Sequence, residues 1–452
     1  MNRSAVRRPV LAVLAAALLI GALALYGVLI PRVPGRAEKT PRAATGAPTS
    51  VLAPAVLPAG LYLEAVQTHA GGPPDDWMSV YGRPVDADPL AGPRLTAIFH
   101  LGSDGLTLPR LSGQRTVFVN AHPARLGRVG DDVWVVWSVW FDADQERDEY
   151  AVVGRGLTAA EVVRAARHLV TPEGPRPAIG RGGLPDGFEP LAAGAATAIG
   201  ESAFAGVGTT LRWSDRRAGR VLELTALGVD DAGVVLAYAQ VSGERAAIRG
   251  GVGLAGVPID ARHADDRARA WREGGTAYVL SGRGVSDAEL DGLVAGLRPA
   301  DAAALDALRR TVPDYPPERL IRPDLHLVAS GRLDGGVWAV ARDDAAKRTE
   351  DTTILLDTGE WAGGSGSPQP FVDPMVTWLS GVSTGTVIIG AVRPPVASVR
   401  ITALDGTRID APLGPATADG TRWFGVRLAG TSTMPEIVAY DANGLMVSRG
   451  AR

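Results

Sequence analysis

The sequence predicts an α+β protein: two tandem modules, each a run of antiparallel strands closed by a helix, then an all-β sandwich, behind an N-terminal transmembrane helix. Three observations predict it. The N-terminus holds an uncharged apolar stretch, the chain repeats itself at a spacing of 127–128 residues (Leu57 to Leu184, Gly154 to Gly282), and its texture changes to short β-rich runs near Ile321.

A chain of 452 residues, 46% hydrophobic and 21% charged, is long enough for two to four domains with real cores. Its formal charge is −3, with acidic and basic residues interspersed, so no basic stripe points to nucleic acid. Cysteine is absent, which removes disulfides, thiolate metal sites and cysteine nucleophiles together. Lys39 and Lys347 are the two lysines; the arginine bias, with the excess of Ala, Gly and Val, reads as the codon usage of a GC-rich genome and not as a function.

Val10–Ile30 carries no charge over its 21 residues. As a helix it would span roughly 31 Å, the thickness of a bilayer core. Arg3, Arg7 and Arg8 precede it, the layout of an uncleaved signal anchor with residues 1–9 cytoplasmic. A cleaved signal peptide is the alternative, since Gly35-Arg36-Ala37 is a passable small-x-small site, although the apolar region of such signals is usually shorter. Arg32, Arg36, Lys39 and Arg42 flank the far side, so charge counts leave the orientation open. The tether at 31–56, rich in Pro, Ala and Thr, and the cysteine-free globular region beyond it point to a single-pass protein of the cell membrane with its C-terminal domains extracytoplasmic.

The first module is placed at 57–175 and the second at 184–300. "LPAGLYLEAV" opens one and "LPDGFEPLAA" the other; "VGRGLTAAEV" (153–162) and "SGRGVSDAEL" (281–290) close them. Each closing stretch reads as a strand ending in a Gly-Arg-Gly turn, followed by a helix. Thr158 and Ser286 are the predicted N-caps, and Glu161 and Glu289, three residues on, complete capping boxes. Val162, Ala166 and Leu169, and Leu290, Leu293, Val294 and Leu297, form the apolar stripes laid on each sheet.

This order of strands, W…Y-x-(V/L)-x-G-R-G-(L/V)-(T/S)-x-A-E-(V/L)…L, resembles a bacterial envelope superfamily of lipoprotein-carrier-like domains and sensor domains of membrane-anchored sigma-factor regulators (LolA/RseB-like). The resemblance covers roughly 57–300, as two copies. It implies half-barrel modules, a sheet curled over one or more helices, whose concave face holds acyl chains or a partner peptide. The chain departs from anchored anti-sigma factors, because only nine residues precede the apolar stretch and leave no room for a sigma-binding domain.

A helical connector, 301–317, leads to the β-rich end at 318–452, read as a β-sandwich with hairpin signals at Asp405-Gly406 and Asn443-Gly444. That end is similar to the Ig-like sandwiches of actinobacterial surface proteins.

The chemistry is sparse. Gly381-Val-Ser383-Thr-Gly385 has the spacing of a nucleophile elbow, but a strand follows it and no histidine lies beyond His326. Gly251-Val-Gly253-Leu-Ala-Gly256 has the spacing of a dinucleotide loop, but Pro258 interrupts the helix that should follow. Asp142, Asp144 and Glu146 could bind calcium weakly, yet lack an EF-hand's glycine and spacing, and a solvated hairpin tip is the simpler account. The six histidines show no ligand spacing. One stretch suggests a site: in "VWVVWSVWF" Trp134, Val136 and Trp140 share one face and Val135, Trp137 and Phe141 the other. One face must meet the closing helix; the other packs against a neighbouring domain or lines a ligand pocket. The resulting expectation is a non-catalytic binding, sensor or regulatory protein with no cofactor, nucleotide or structural metal. Its partner would be an envelope protein or a lipid-like ligand, and the alternative is a structural component of an envelope assembly.

Overall fold

Strands that are apolar on both faces decide the architecture. In Asp132–Trp140, Val133, Val135 and Trp137 point one way and Trp134 and Val136 the other, and all five are buried. Such a strand must be covered on both sides. The computed structural model describes residues 50–449 other than 71–75, 84–91, 102–110, 141–146, 171–176, 196–206, 228–230, 260–262, 343–349, 359–360, 366–372, 383–384 and 431–434.

Two antiparallel sheets of seven strands form the first part. Across the first sheet the order is Glu189–Ala195, Asp76–Gly82, Arg94–Leu101, Arg147–Arg155, Asp132–Trp140, His122–Val129, Ser112–Val119. Across the second it is Tyr62–Ala70, Val207–Asp215, Arg220–Leu227, Thr276–Arg283, Arg267–Glu273, Gly251–Pro258, Val241–Ile248. The two orders match position for position once the 127–128-residue offset is applied, except that the first strand of each repeat lies in the sheet of the other. Tyr62–Ala70 pairs with Val207–Asp215, and Glu189–Ala195 pairs with Asp76–Gly82. The repeats have exchanged their opening strands.

The layers follow from which side chains each face presents. Helix α1, Ala159–Arg167, lays Val162, Ala165 and Ala166 on Leu95, Val133, Val135 and Val152 of the first sheet. The opposite face, with Met78, Ile98, Trp134 and Val136, packs on helix α2, Asp231–Ala239, and on Ala268, Ala270, Ala277 and Val279 of the second sheet. Helix α3, Asp287–Gly296, and the connector that begins with helix α4, Ala302–Arg309, cover the far face of the second sheet. Val337, Ala339 and Leu355 of a third, four-stranded sheet join that core.

The C-terminal region stacks three sheets. The third runs from His326–Leu333 through Gly336–Arg342 and Glu350–Leu356 to Trp361–Ser365. The fourth is Met375–Val382, Gly385–Val392, Arg422–Ala429, and the fifth is Arg408–Asp410, Ser398–Thr402, Glu436–Tyr440, Met446–Arg449. Gly385–Val392 is buried along its whole length. Val387, Ile389 and Ala391 face Trp338, Val340 and Ile354 of the third sheet, whereas Ile388 and Val392 face Val399, Ile401 and Ile437 of the fifth.

These findings correct the expected fold class. The chain is mostly β, not α+β. Its four described α-helices are only eight to ten residues long, and each covers a small part of a sheet. Neither large sheet is a half-barrel with an open concave face, because that face of the first sheet is filled by α2 and the second sheet. The expected β-sandwich is a stack of three sheets, since the fourth sheet is apolar on both sides. The transmembrane helix and the single-pass membrane localisation are corrected as well: no helix among the described residues is long and apolar enough to cross a membrane. Val10–Ile30 lies outside the described residues.

Candidate functional site

The repeated Gly-Arg-Gly turn builds a polar feature common to both repeats. A Cβ on Gly154 would meet Val162 Cγ2 at 2.3 Å, so the first glycine lets α1 lie directly on its strand. Gly156 and Gly284 sit at φ +64° and +61°, the left-handed region that turns the chain into the helix. Both capping boxes form as the sequence predicts, with Thr158 and Ser286 accepting from the amides of Glu161 and Glu289.

Between the glycines, the arginine reaches a buried aspartate at the start of the adjacent strand. The pairing of Val133 with Gly154 sets Asp132 beside Arg155, and that of Arg267 with Gly282 sets Asp266 beside Arg283. Arg155 Nε and Nη2 donate to Asp132 Oδ1 and Oδ2, both at 3.1 Å. Arg283 Nε donates to Asp266 Oδ1 at 3.0 Å. Five residues along the same two strands, and on the opposite face, a tryptophan stacks on a tyrosine: Trp137 on Tyr150 at 5.5 Å and Trp271 on Tyr278 at 5.2 Å between ring centroids.

The surroundings of the two ion pairs differ. Asp266 accepts from the His263 amide of its own repeat at 2.9 Å. Asp132 instead accepts from Ser242 Oγ, and Arg155 Nη2 donates to the Val241 carbonyl at 2.6 Å, both on the edge strand of the second sheet. This clasp forms one wall of a cleft of ≈ 490 Å³, solvent mouth included, at the seam between the sheets; Arg94, Thr96 and Tyr238 also line it. Both carboxylate oxygens of Asp132 are engaged, and Ser242 donates to that carboxylate; no histidine is among the described residues that line the cleft. The arrangement joins the two repeats.

A second charged cluster lies within the second sheet. Glu64, on the exchanged strand, meets Arg216 and lies 3.8 Å from Arg212, which also holds Glu223 at 2.8 Å. Glu64 and Glu223 are only 1% and 3% exposed. Burial pushes the Glu64 carboxyl up, but the Arg216 and Arg212 guanidiniums outweigh it and hold the group below the usual carboxylate range. Nearby, Ser214 Oγ and Tyr315 Oη lie 2.9 Å apart, and burial raises the Tyr315 hydroxyl pKa.

The predicted site residues do not converge on the cleft. Trp134 is fully buried and Val136 nearly so, both against α2 and the second sheet. Trp140 ends the same strand, and only its backbone is described. Asp142, Asp144, Glu146 and Phe141 lie outside the described residues, as does Ser383. Gly251, Gly253 and Gly256 lie in a strand, not a phosphate loop: a Cβ on Gly256 would meet the Ser242 carbonyl at 2.1 Å, so glycine there serves close strand approach. No group of His, Asp and Glu able to hold a metal is present among the described residues. Asp132 and Ser242 were missed by sequence reasoning. A signal for Asp132 existed, since an aspartate stands five residues before the tryptophan in both repeats, Asp132/Trp137 and Asp266/Trp271. Compared with known proteins, the chain matches no family model and no curated sequence.

Proposed function

We propose that this chain is a non-catalytic binding protein that engages a partner protein through the open edge of its first sheet. One observation carries the reading: Ser112–Val119 ends the sheet, paired only with His122–Val129 among the described strands, and it is exposed from Ser112 through Thr116, with Phe118 59% exposed. An outer strand of this kind offers backbone groups to an added strand. Arg115, Arg125 and Arg128 are exposed on this strand and its neighbour, and Arg164 and Arg167 on α1, with Arg167 Nε donating to the Phe118 carbonyl at 3.1 Å. Such surroundings favour an acidic extended segment. The other three large-sheet edges are less free: α2 packs along Glu189–Ala195, α4 packs along Tyr62–Ala70, and Arg155 caps the start of Val241–Ile248. The resemblance to partner-binding sensor domains points the same way, whereas a lipid-like ligand at Trp134 would require the filled seam to open.

The test is titration with an extended peptide of alternating Glu and Val, read by calorimetry and by amide hydrogen exchange. The expected result is saturable binding that weakens with salt, protects Ser112–Val119 and is lost in Arg115→Glu/Arg125→Glu. Absence of binding, or protection confined to another surface, overturns the reading.

A further inference from the structure

The exchanged strands carry a bulge at the same point, and the residue at the bulge differs. In the first sheet the pairing steps from Pro190–Tyr81 to Ala192–Val80, leaving Leu191 at the bulge. In the second it steps from Leu63–Trp213 to Ala65–Arg212, leaving Glu64. Leu191 is opposed by small and apolar partners: Val80 faces its neighbour Ala192, and a Cβ on Gly82 would meet Leu191 Cδ1 at 2.9 Å. Glu64 is opposed by Arg212 and Arg216.

Had Tyr62–Ala70 folded back on its own successor, Asp76–Gly82, Glu64 would meet Val80 and Gly82, with Arg94 beside Gly82 in place of the Arg212/Arg216 pair. Arg212 would then meet Leu191. Arg212 would keep Glu223 but lose Glu64, and Glu64 would exchange two flanking guanidiniums for one, which disfavours the unexchanged arrangement. The rest of the N-terminal segment follows the same allegiance. Val51–Pro54 pairs with Leu297–Ala300 of the second repeat, and Ser50 Oγ lies 2.8 Å from Tyr278 Oη.

We infer that Ser50–Ala70 is a donor segment, keyed by Glu64 to the Arg212/Arg216 edge, and that a second copy of this chain can supply it. The contacts made within one chain and between two are the same, so concentration sets the balance between them, as in domain swapping. This interaction is independent of the Ser112–Val119 edge.

The chain has no cysteine, so an exchange between copies can be trapped cleanly. Thr68 and Thr209 are directly paired across the two strands. Full-length Thr68→Cys and Thr209→Cys chains would be mixed, unfolded, refolded over a range of concentrations and oxidised. Thr68→Cys mixed with Thr407→Cys, an exposed position on the fifth sheet, serves as control, and Thr68→Cys/Thr209→Cys in one chain reports closure within a chain. The expected result is a cross-chain disulfide between positions 68 and 209 that exceeds the control, rises with concentration and is lost when Glu64→Leu is added to the donor. A cross-chain yield no greater than the control at every concentration overturns the inference, as does failure of the doubly substituted chain to close.

Discussion

The two repeats are the same framework finished in two ways. Each has the strand order, the Asp–Arg pair, the Trp–Tyr stack and the capped helix. They diverge where one repeat meets the other. The first repeat turns its Asp132–Arg155 pair outward to clasp Ser242 and Val241, whereas the second keeps Asp266–Arg283 within its own turn. The first sheet receives its exchanged strand with an apolar contact, the second with buried charges. The difference teaches that a duplicated unit preserves what closes it and changes what distinguishes it from its twin. Two identical acceptor edges would allow either first strand in either sheet; Val80 with Arg94 on one edge and the Arg212/Arg216 pair on the other do not.

The largest expected effect comes from breaking the charged edge. Arg212→Ala leaves Glu64 and Glu223 buried beside a weakened set of cations and should cost about 3–5 kcal/mol, the usual result of removing one partner from a buried ion pair. Val80→Ala, the counterpart in the first sheet, should cost about 1–3 kcal/mol. The midpoints of chemical denaturation measure both, and equal losses would erase the distinction between the two edges. Acid sharpens the contrast. Because Glu64 is held below the ordinary carboxylate range, its ionisation contributes stability that is present above the unfolded-state pKa and lost as pH falls through the folded-state one. Glu64→Gln should therefore show a shallower loss of stability on acidification than the parent chain, while Leu191→Ala should leave that slope unchanged.

Next in size are the two turn arginines. Arg155→Ala and Arg283→Ala each leave a buried carboxylate, Asp132 at 4% and Asp266 at 0% exposure. Each should cost about 2–3 kcal/mol, in the range for a charged hydrogen-bond partner removed from a buried site. Their reach should differ. Arg155→Ala also frees the Val241 carbonyl, so amide exchange should speed up along Val241–Ile248. Arg283→Ala should loosen only the His263–Asp266 turn. Hydrogen exchange followed segment by segment would show whether the clasp spans the repeats.

The sequence carried the framework but not the exchange. The offset landmarks, the capping boxes and the apolar run at 133–140 were all legible, because periodicity and turn chemistry are local. Which sheet a strand joins is not local: Tyr62–Ala70 has the same pattern whether it pairs with Asp76–Gly82 or Val207–Asp215, and only Glu64 separates the two. The apolar faces of Trp134 and of Gly385–Val392 were visible as apolar. What covers them depends on the α2 segment and the neighbouring sheets, elements far away in the chain. The α+β reading gave the closing helices too much weight, since each covers only part of a sheet whose remaining face needs another sheet. The cleft was illegible because Asp132 and Ser242 lie 110 residues apart and meet only through the seam.

The smallest expected effect tests what the repeats share. Thr158→Ala and Ser286→Ala each remove one capping box, for about 1 kcal/mol apiece. Glu161 is held below the usual carboxylate range first by the Thr158 side chain, and Glu289 first by the Ser286 amide, so each box is stronger when its glutamate is ionised. The stability each box contributes is thus present above the unfolded-state pKa and lost as pH falls through the depressed one. The penalty of either substitution should shrink as the protein is acidified. It should shrink less steeply, and start smaller, for Ser286→Ala, because Arg220 Nη2 still holds Glu289 at 2.9 Å when the serine is gone. Thermal unfolding of the two variants at neutral and acidic pH would check this. A penalty that stays constant with pH would mean the caps act through the Thr158 and Ser286 hydroxyls alone, with the glutamates as bystanders.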